Sequence, residues 1–261
     1  MTNLEQAGAW LAGHGLAGVE PTPLLAARLA VRRRARLAGD VLLAVFLCGV
    51  ALAYISDLPH GEGPVRRGPL LALTAMVVAL VLAQSLLDRW VRRADRRAAA
   101  TLPRRAAHPV RLGWRTLLGR PRAALTLATF AGAAALAVRG LTEEVAGARF
   151  AAVILLIGLA GVATSMAVQL RHVLTHPTVA DDEASLTADV AMRVEDARAV
   201  ATPSVVWCLP VVSVFSTTAG WWNAAWLVFT VLGVAALALI SARTAGTGTV
   251  ARHATNAPSA G

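Results

Sequence analysis

Uncharged stretches divide the chain into widely spaced apolar segments. Four of them, at residues 41–56, 68–87, 123–138 and 150–170, contain no charged residue over 16 to 21 positions. A fifth, at residues 199–242, is uncharged over 44 positions. A membrane-crossing helix needs ~20 predominantly apolar residues, so the longest stretch has room for two crossings. Polar and apolar residues do not alternate in these segments, which argues against the strands of a transmembrane barrel.

A polar turn divides the longest stretch. Residues 217–223 read TTAGWWN, and tryptophan favours the boundary between membrane and water. We therefore predict an all-α polytopic membrane protein, a bundle of six transmembrane helices within residues 37–242. The predicted spans are residues 37–56, 69–87, 123–139, 150–170, 202–217 and 222–242.

Composition agrees with a membrane protein. The chain has 261 residues, of which 56% are hydrophobic and 15% are charged, and a soluble chain of this length cannot bury so much apolar surface. All 25 basic residues are arginine, and alanine is abundant, which is typical of a GC-rich bacterial genome. The two cysteines, Cys48 and Cys208, lie inside apolar segments and are interpreted as small apolar side chains.

The arginines alternate in number from one connecting segment to the next. Five precede the first span, eleven lie between the second and third, three between the fourth and fifth, and two after the sixth, a total of 21. The other connections hold only four, which are Arg66, Arg67, Arg139 and Arg149. Cytoplasmic loops of membrane proteins carry the arginine excess. This pattern predicts a bacterial cytoplasmic (plasma) membrane protein with both termini cytoplasmic.

The segments outside the spans differ in character. Residues 1–36 form a cytoplasmic N-terminal segment, with a short helix over residues 4–16 and a second helix that starts at Leu24 and continues into the first span. Residues 88–122 form a basic cytoplasmic loop, and residues 243–261 a disordered cytoplasmic tail.

An acidic helix is predicted at residues 178–200. It contains six acidic residues and two arginines, and apolar residues recur at helical spacing on one face. The members of this stripe are Leu186, Val190, Val194, Ala197 and Ala201. Asp189 and Arg193 have the spacing of a favourable ion pair on one helix. The helix either docks on the arginines of its own chain or presents a surface to another protein, and the sequence leaves both alternatives open.

The basic loop has three interpretations. DRWVRRADRR, at residues 88–97, acts as a topological anchor beside anionic lipid headgroups. Residues 110–120 place Trp114 and leucines between arginines, as in a helix that lies in the headgroup region. Arginine also attracts nucleic acid, but no nucleic-acid-binding motif accompanies the cluster, so no nucleic-acid partner is expected.

Candidate chemical motifs are sparse. Residues 13–18 match G-x-G-x-x-G, but the strand and crossover helix of a dinucleotide site do not surround them. His172 and His176 are four residues apart, and Asp181 follows, which is the residue set of a possible zinc site. Pro177 interrupts that helix, which favours a solvated helix end. We predict no catalytic, cofactor-binding or metal-binding residues and no cofactor.

The sequence predicts the function of the protein only in general terms. The contrast between basic and acidic segments predicts a non-enzymatic membrane component that docks a partner protein or its own copies. The alternative is a permease or accessory subunit of a transporter, because Pro210 predicts a kink in the fifth span. The six-span layout with a basic helix before the first span resembles permease subunits of ABC-2-type exporters, although the lengths of the last two loops differ. Packing faces are expected at Ala128, Gly132, Gly158 and Gly161.

Overall fold

The computed structural model describes residues 2–57, 67–100, 113–144, 146–175, 183–211, 220–244 and 246–256. Within those ranges the chain is all-helical and contains no strand. The helices are α1 (Asn3–Gly13), α2 (Pro23–Asp57), α3 (Arg67–Ala100), α4 (Trp114–Leu118), α5 (Arg120–Leu141), α6 (Ala146–Thr175), α7 (Glu183–Val200), α8 (Ser204–Cys208), α9 (Gly220–Arg243) and α10 (Thr247–Asn256).

Five of these helices are long and apolar enough to cross a membrane. They are α2, α3, α5, α6 and α9, and they overlap five of the six predicted spans. The remaining predicted span, residues 202–217, is described only as far as residue 211, where α8 is followed by a tighter turn at residues 209–211. Residues 212–219 lie outside the described residues, so the count of six remains a prediction.

The two helices α2 and α3 form a long hairpin. With 35 and 34 residues they are each about 50 Å long, whereas the hydrocarbon core of a bilayer is about 30 Å thick. α3 continues through residues 88–100, where sequence analysis placed a loop. Arginine and alanine favour helix, and Asp95 pairs with arginines of α2, so this part of the basic segment is held as a rigid helical extension.

Small residues bring the long helices together. A Cβ atom at Gly161 of α6 would lie 2.9 Å from Val81 Cγ1 of α3, and one at Gly158 would lie 3.1 Å from Val77 Cγ1. Gly132 of α5 packs in the same way against the ring of Phe229 in α9. These contacts confirm three of the four predicted packing positions. Ala128 is exposed and takes no part in this close packing.

The ends of the helices define two sides of the bundle. α5 and α9 are antiparallel, because Trp222 Nε1 donates to the carbonyl oxygen of Leu136 (3.0 Å) and an Arg122 guanidinium donates to Ser241 Oγ (3.0 Å). Thr126 near the start of α5 donates to the carbonyl oxygen of Ala201 (2.7 Å), just after α7. The start of α5, the end of α7 and the end of α9 therefore share one side, here called the arginine-rich end.

An apolar core fills the bundle towards the opposite end. It contains side chains from α2, α3, α5, α6, α8 and α9. Trp222 is fully buried there, and Trp226 packs edge-to-face against both Trp222 and Phe229. The buried ion pairs, in contrast, lie at the arginine-rich end.

Both terminal segments are helical. α1 begins with a capping box, in which Thr2 and Glu5 each accept from the other residue's backbone N–H. α1 and α2 confirm the two helices expected before the first span. Residues 247–256 form α10, which packs on α7, so this part of the predicted disordered tail is an ordered helix. This segment is helical because it is packed, since Ala251 and Gly248 are buried against other helices.

Candidate functional site

The acidic helix α7 lies at the centre of the arginine-rich end. Around it pack α1, α4, α10, the start of α2, the end of α3 and the end of α6, and we call this assembly the α7 module. Arg28, Arg32 and Arg36 recur every fourth residue along α2, so their side chains share one face. That face meets α7, and the pairing of the two helices organises the module.

Asp189 is the most deeply buried acidic group of the module. Its side chain is 0% exposed, and its two carboxylate oxygens accept from different arginines. Arg28 Nη2 lies 2.6 Å from Oδ1, and Arg193 Nε lies 2.9 Å from Oδ2. The second contact confirms the predicted ion pair within α7. Arg28 also donates from Nε to Asp95 Oδ1 at 3.1 Å, which links α7 to α3 through α2.

Arg32 holds three helices together. Its two terminal nitrogens donate to the two oxygens of Asp95 at 2.9 and 2.8 Å, while Nε donates to Asp196 Oδ2 at 2.9 Å. Paired arginine–carboxylate contacts of this kind fix geometry as well as charge. Burial raises the pKa of the Asp196 carboxyl, and the Arg32 guanidinium opposes that rise.

Glu195 connects α7 to the N-terminal helix. One carboxylate oxygen contacts both His14 Nε2 (2.9 Å) and Trp10 Nε1 (3.3 Å), and the other accepts from Arg36 at 3.0 Å. The rings of Trp10 and His14 stack with their centroids 4.1 Å apart. Glu195, which is mostly buried, therefore anchors α1 as well as α2 to α7.

The apolar residues of α7 are buried on two faces. Four of the five residues of the predicted stripe, Val190, Val194, Ala197 and Ala201, are buried with Leu117 of α4, whereas Leu186 is only partly buried. A second face packs Ala188 and Met192 against leucines of α1, α2 and the turn between them. Because polar, acidic and apolar sides of the helix are all covered, the described part of α7 docks on its own chain.

The glycine-rich turn has a structural role. It ends α1, and Gly15 has a left-handed backbone with φ of 71°. Arg252 of α10 donates to the carbonyl oxygens of Gly15 (2.9 Å) and His14 (3.2 Å). The turn that matches G-x-G-x-x-G thus forms a contact site for α10, and no strand precedes it in the described part of the chain.

A band of arginines on α3 faces away from the module. Its members are exposed and lie at helical spacing: Arg89, Arg93, Arg96 and Arg97. Arg115 and Arg120, near α4, are also exposed, as is half of the Trp114 side chain. Arg198 of α7 lies outside this band and is partly buried. Burial and the neighbouring Arg122 guanidinium lower its pKa. The described parts of the basic segment, residues 88–100 and 113–122, therefore present a helical, positively charged surface.

Two cavities open between the helices at the arginine-rich end. The first, of about 160 Å³, lies among the ion pairs and reaches His172, Gln169, Asp88 and Arg92. The second, of about 260 Å³, shares Asp88 and Gln169 with the first and extends towards the apolar core. Its walls come from α2, α3, α5, α6 and the segment that joins α7 to α8.

The predicted zinc residues are only partly described. His172 lines the first cavity, whereas His176 and Asp181 lie outside the described residues. Among the described residues, no group of three or more His, Cys, Asp or Glu side chains has the arrangement of a metal site.

Sequence reasoning missed the residues that organise the module. The sequence predicts only a topological anchor at residues 88–97, whereas Asp95 within it pairs with Arg28 and Arg32. The signal was present in the spacing, because three arginines repeat every fourth position in α2 and acids recur seven apart at Asp189 and Asp196. Two helices that pair through charged faces need arginines at helical spacing on one helix and acids at helical spacing on the other.

Comparisons with known proteins add no relative. No family model, no curated protein and no solved structure matches this chain. Function must therefore be argued from the residues and their geometry.

Proposed function

We propose that this chain is a non-enzymatic, six-span component of a bacterial cytoplasmic membrane, and that its inner surface docks an acidic partner protein. The α7 module lies inside the cell in this proposal. The exposed arginine band of α3, with Arg93, Arg96 and Arg97 at its centre, is the docking surface. One observation carries the proposal: the described acids of α7, which are Asp189, Glu195 and Asp196, are engaged within the chain, while these arginines are exposed.

The engaged acids argue against docking in trans through α7. A partner that took Asp189 would have to separate it from two buried arginines, and breaking a buried ion pair costs about 3–5 kcal/mol. Intramolecular docking of α7 is therefore the favoured alternative of the two that the sequence left open.

The geometry of α3 favours a protein over lipid headgroups as the ligand of the band. The helix runs 13 residues beyond the predicted end of its span at residue 87, which is about 20 Å. Arg96 and Arg97 are then held about 14 Å past that point, away from the level where headgroups begin. Arg89, close to the span, remains suited to anionic headgroups.

In the part of the chain that the structure describes, a second copy offers few acids to such a band. Most acidic side chains of the module are already paired. The exposed acids among the described residues are Glu5, Glu20, Asp40 and Glu144. Within the described ranges a second copy therefore presents no acidic face that matches the band, and a separate acidic protein fits better.

Photo-crosslinking tests this proposal. A benzophenone amino acid is placed at position 93 in cells of the native host, and crosslinked products are resolved and identified. We expect one discrete protein adduct, which disappears when Arg96→Gln and Arg97→Gln are added and when the membranes are irradiated in high salt. The matched control carries the crosslinker at position 5, on exposed α1. Lipid adducts alone, or equal adducts from both positions, would refute protein docking.

The six-span arrangement is part of the proposal. Ala201 lies at the arginine-rich end and Gly220, which opens α9, at the other, so residues 202–219 have to bridge the two sides. α8 starts this passage, and its Val206 and the following Leu209 are buried in the apolar core. Pro210 lies in the tighter turn at residues 209–211, and the kink that it predicts in a fifth span is part of the proposal.

A transport subunit is the second candidate, favoured by the second cavity. That cavity enters the bundle from the arginine-rich end and stops at apolar residues such as Leu43 and Val162. Uptake or efflux assays in membrane vesicles would test this role. A transport subunit requires solute movement that depends on the chain, and its absence for cationic, anionic and neutral solutes would leave the docking role alone.

A further inference from the structure

The second cavity has polar and apolar walls at opposite sides. Towards the arginine-rich end it is lined by charged and hydrogen-bonding side chains, which are Arg36, Asp40, Gln84, Asp88, Ser165 and Gln169. Towards the bundle interior it is lined by Leu43, Val81, Phe130, Val162 and Met166. A cavity with this division fits a molecule that has a polar head and an apolar body.

The charged side chains that line the cavity differ in whether they already have an ion-pair partner. Arg36 already has a carboxylate partner, because its guanidinium lies 3.0 Å from Glu195 on α7. Asp40 and Asp88 have no such partner, since no arginine or histidine nitrogen of the described residues lies within 4.0 Å of either carboxylate. Arg92, one turn beyond Asp88, attracts the Asp88 carboxylate electrostatically without a direct ion pair, and it lines the first cavity and not the second.

Asp88 is held by weak neutral contacts. Ser165 Oγ lies 3.5 Å from Asp88 Oδ2, and Gln169 Nε2 lies 3.5 Å from the same hydroxyl oxygen. These long contacts leave most of the accepting capacity of the carboxylate unused. A half-buried carboxylate in such a place is stabilised by a cation that enters the cavity.

Phe130 supplies a matching apolar contact. Its ring is partly buried against the apolar core and also lines the cavity. An aromatic face attracts quaternary ammonium groups, and aromatic and aliphatic walls accommodate an apolar body. An anionic head would face two carboxylates and an arginine that is already engaged.

We infer that the second cavity is a binding site for an amphipathic organic cation, whose charged head contacts Asp88 and Asp40 and whose apolar part lies against Phe130 and Val162. The inference is independent of docking through the arginine band, which lies on the outer face of α3. The inference assigns a class of ligand, an organic cation, to the cavity that also supports the second candidate function, a transport subunit.

Two small probes of opposite charge test the inference. The full-length protein, purified in a non-ionic detergent, is titrated by calorimetry with benzyltrimethylammonium and, separately, with phenylmethanesulfonate. We expect saturable binding of the cation and none of the anion. Asp88→Asn should weaken cation binding at least tenfold, and Asp40→Asn, at the exposed rim, should weaken it several-fold. Glu20→Gln, exposed on the turn before α2, is the matched control and should bind as the parent does.

Asp40→Asn keeps the test decisive if Asp88→Asn does not fold, because Asp40 is exposed and its replacement leaves the packing intact. Equal affinity for both probes, tighter binding of the sulfonate, or cation binding that survives in the folded aspartate variants would each overturn the inference. Absence of any cation binding to the parent protein would overturn it as well.

Discussion

Arg28 Nη2 lies 2.6 Å from Asp189 Oδ1, and both side chains are buried at a junction of α2, α3 and α7. This pair joins the acidic helix to the first membrane helix across 161 positions of sequence. Pairs of buried charges contribute through the cost of separating them, since an ion left without its partner keeps its desolvation penalty.

Asp189→Asn should destabilise the protein by about 3–5 kcal/mol, because two buried arginines would lose their shared carboxylate. The measurement is denaturant or thermal unfolding of the purified protein in detergent, followed by tryptophan fluorescence. Glu20→Gln, which neutralises an exposed acid, should change the free energy of unfolding by less than about 0.5 kcal/mol. Equal stability of the two variants would show that the pair does not hold the module.

Arg32 and Asp196 should be energetically coupled. Their atoms are 2.9 Å apart, and residues in direct contact show interaction energies of about 0.5–3 kcal/mol in double-mutant cycles. We expect Arg32→Gln with Asp196→Asn to cost less than the sum of the two single changes. Unfolding of the four proteins of the cycle gives the coupling, and strictly additive losses would contradict the contact.

Gly248→Ala should release α10 from the module. A methyl group at Gly248 would overlap the carbonyl oxygen of His14, whose backbone cannot move without disturbing the end of α1. Gly246→Ala is the control, since a Cβ atom there meets nothing within 4 Å. Hydrogen exchange should show faster exchange over residues 247–256 in the first variant only. Unchanged protection would mean that α10 does not dock as described.

Gly140→Ala should weaken the bundle by about 1–3 kcal/mol, the usual cost of overpacking. A Cβ atom at Gly140 would lie 2.7 Å from Trp222 Cζ2 and 3.1 Å from Ala152 Cβ. Gly39→Ala, in α2 with open space around it, should instead stabilise by up to about 1 kcal/mol through helix propensity. Opposite signs of the two changes in unfolding experiments would confirm that α5, α6 and α9 meet at Gly140.

The sidedness of the chain is tested by labelling single cysteines. After Cys48→Ala and Cys208→Ala, cysteines are introduced one at a time as Arg97→Cys, Glu143→Cys and His253→Cys. With an impermeant maleimide, we expect labelling at position 143 in intact cells, and at positions 97 and 253 only after permeabilisation. Labelling of 97 and 253 from opposite sides would exclude a sixth crossing between α7 and α9.

Much of the membrane architecture was predictable from the sequence. A bilayer selects apolar windows of about 20 residues, so the positions of α2, α3, α5, α6 and α9 follow from local composition. The same holds for the helix before Pro21, for most of the stripe of α7 and for Gly132, Gly158 and Gly161 as packing positions. Each of these depends on residues that are near neighbours in sequence or on a periodicity that one helix displays.

The α7 module could not be predicted in the same way. An arginine at position 28 carries no local signal that its partners are Asp95 and Asp189, because the choice depends on which helix faces meet. The sequence predicts a loop for residues 88–100 and a disordered tail for residues 247–256, but both segments are helical in the structure. Contacts with α2, α7 and the turn at Gly15 hold them in this form.

Two properties follow from local composition alone: where the chain is apolar enough for a membrane and where its charges gather. Both depend on residues within short windows of the sequence. The tertiary structure decided which charges neutralise one another, which arginines stay exposed, and that Asp40 and Asp88 share a cavity with Phe130. Ion pairs and cavities depend on side chains that are distant in sequence, so they are set only when the helices pack.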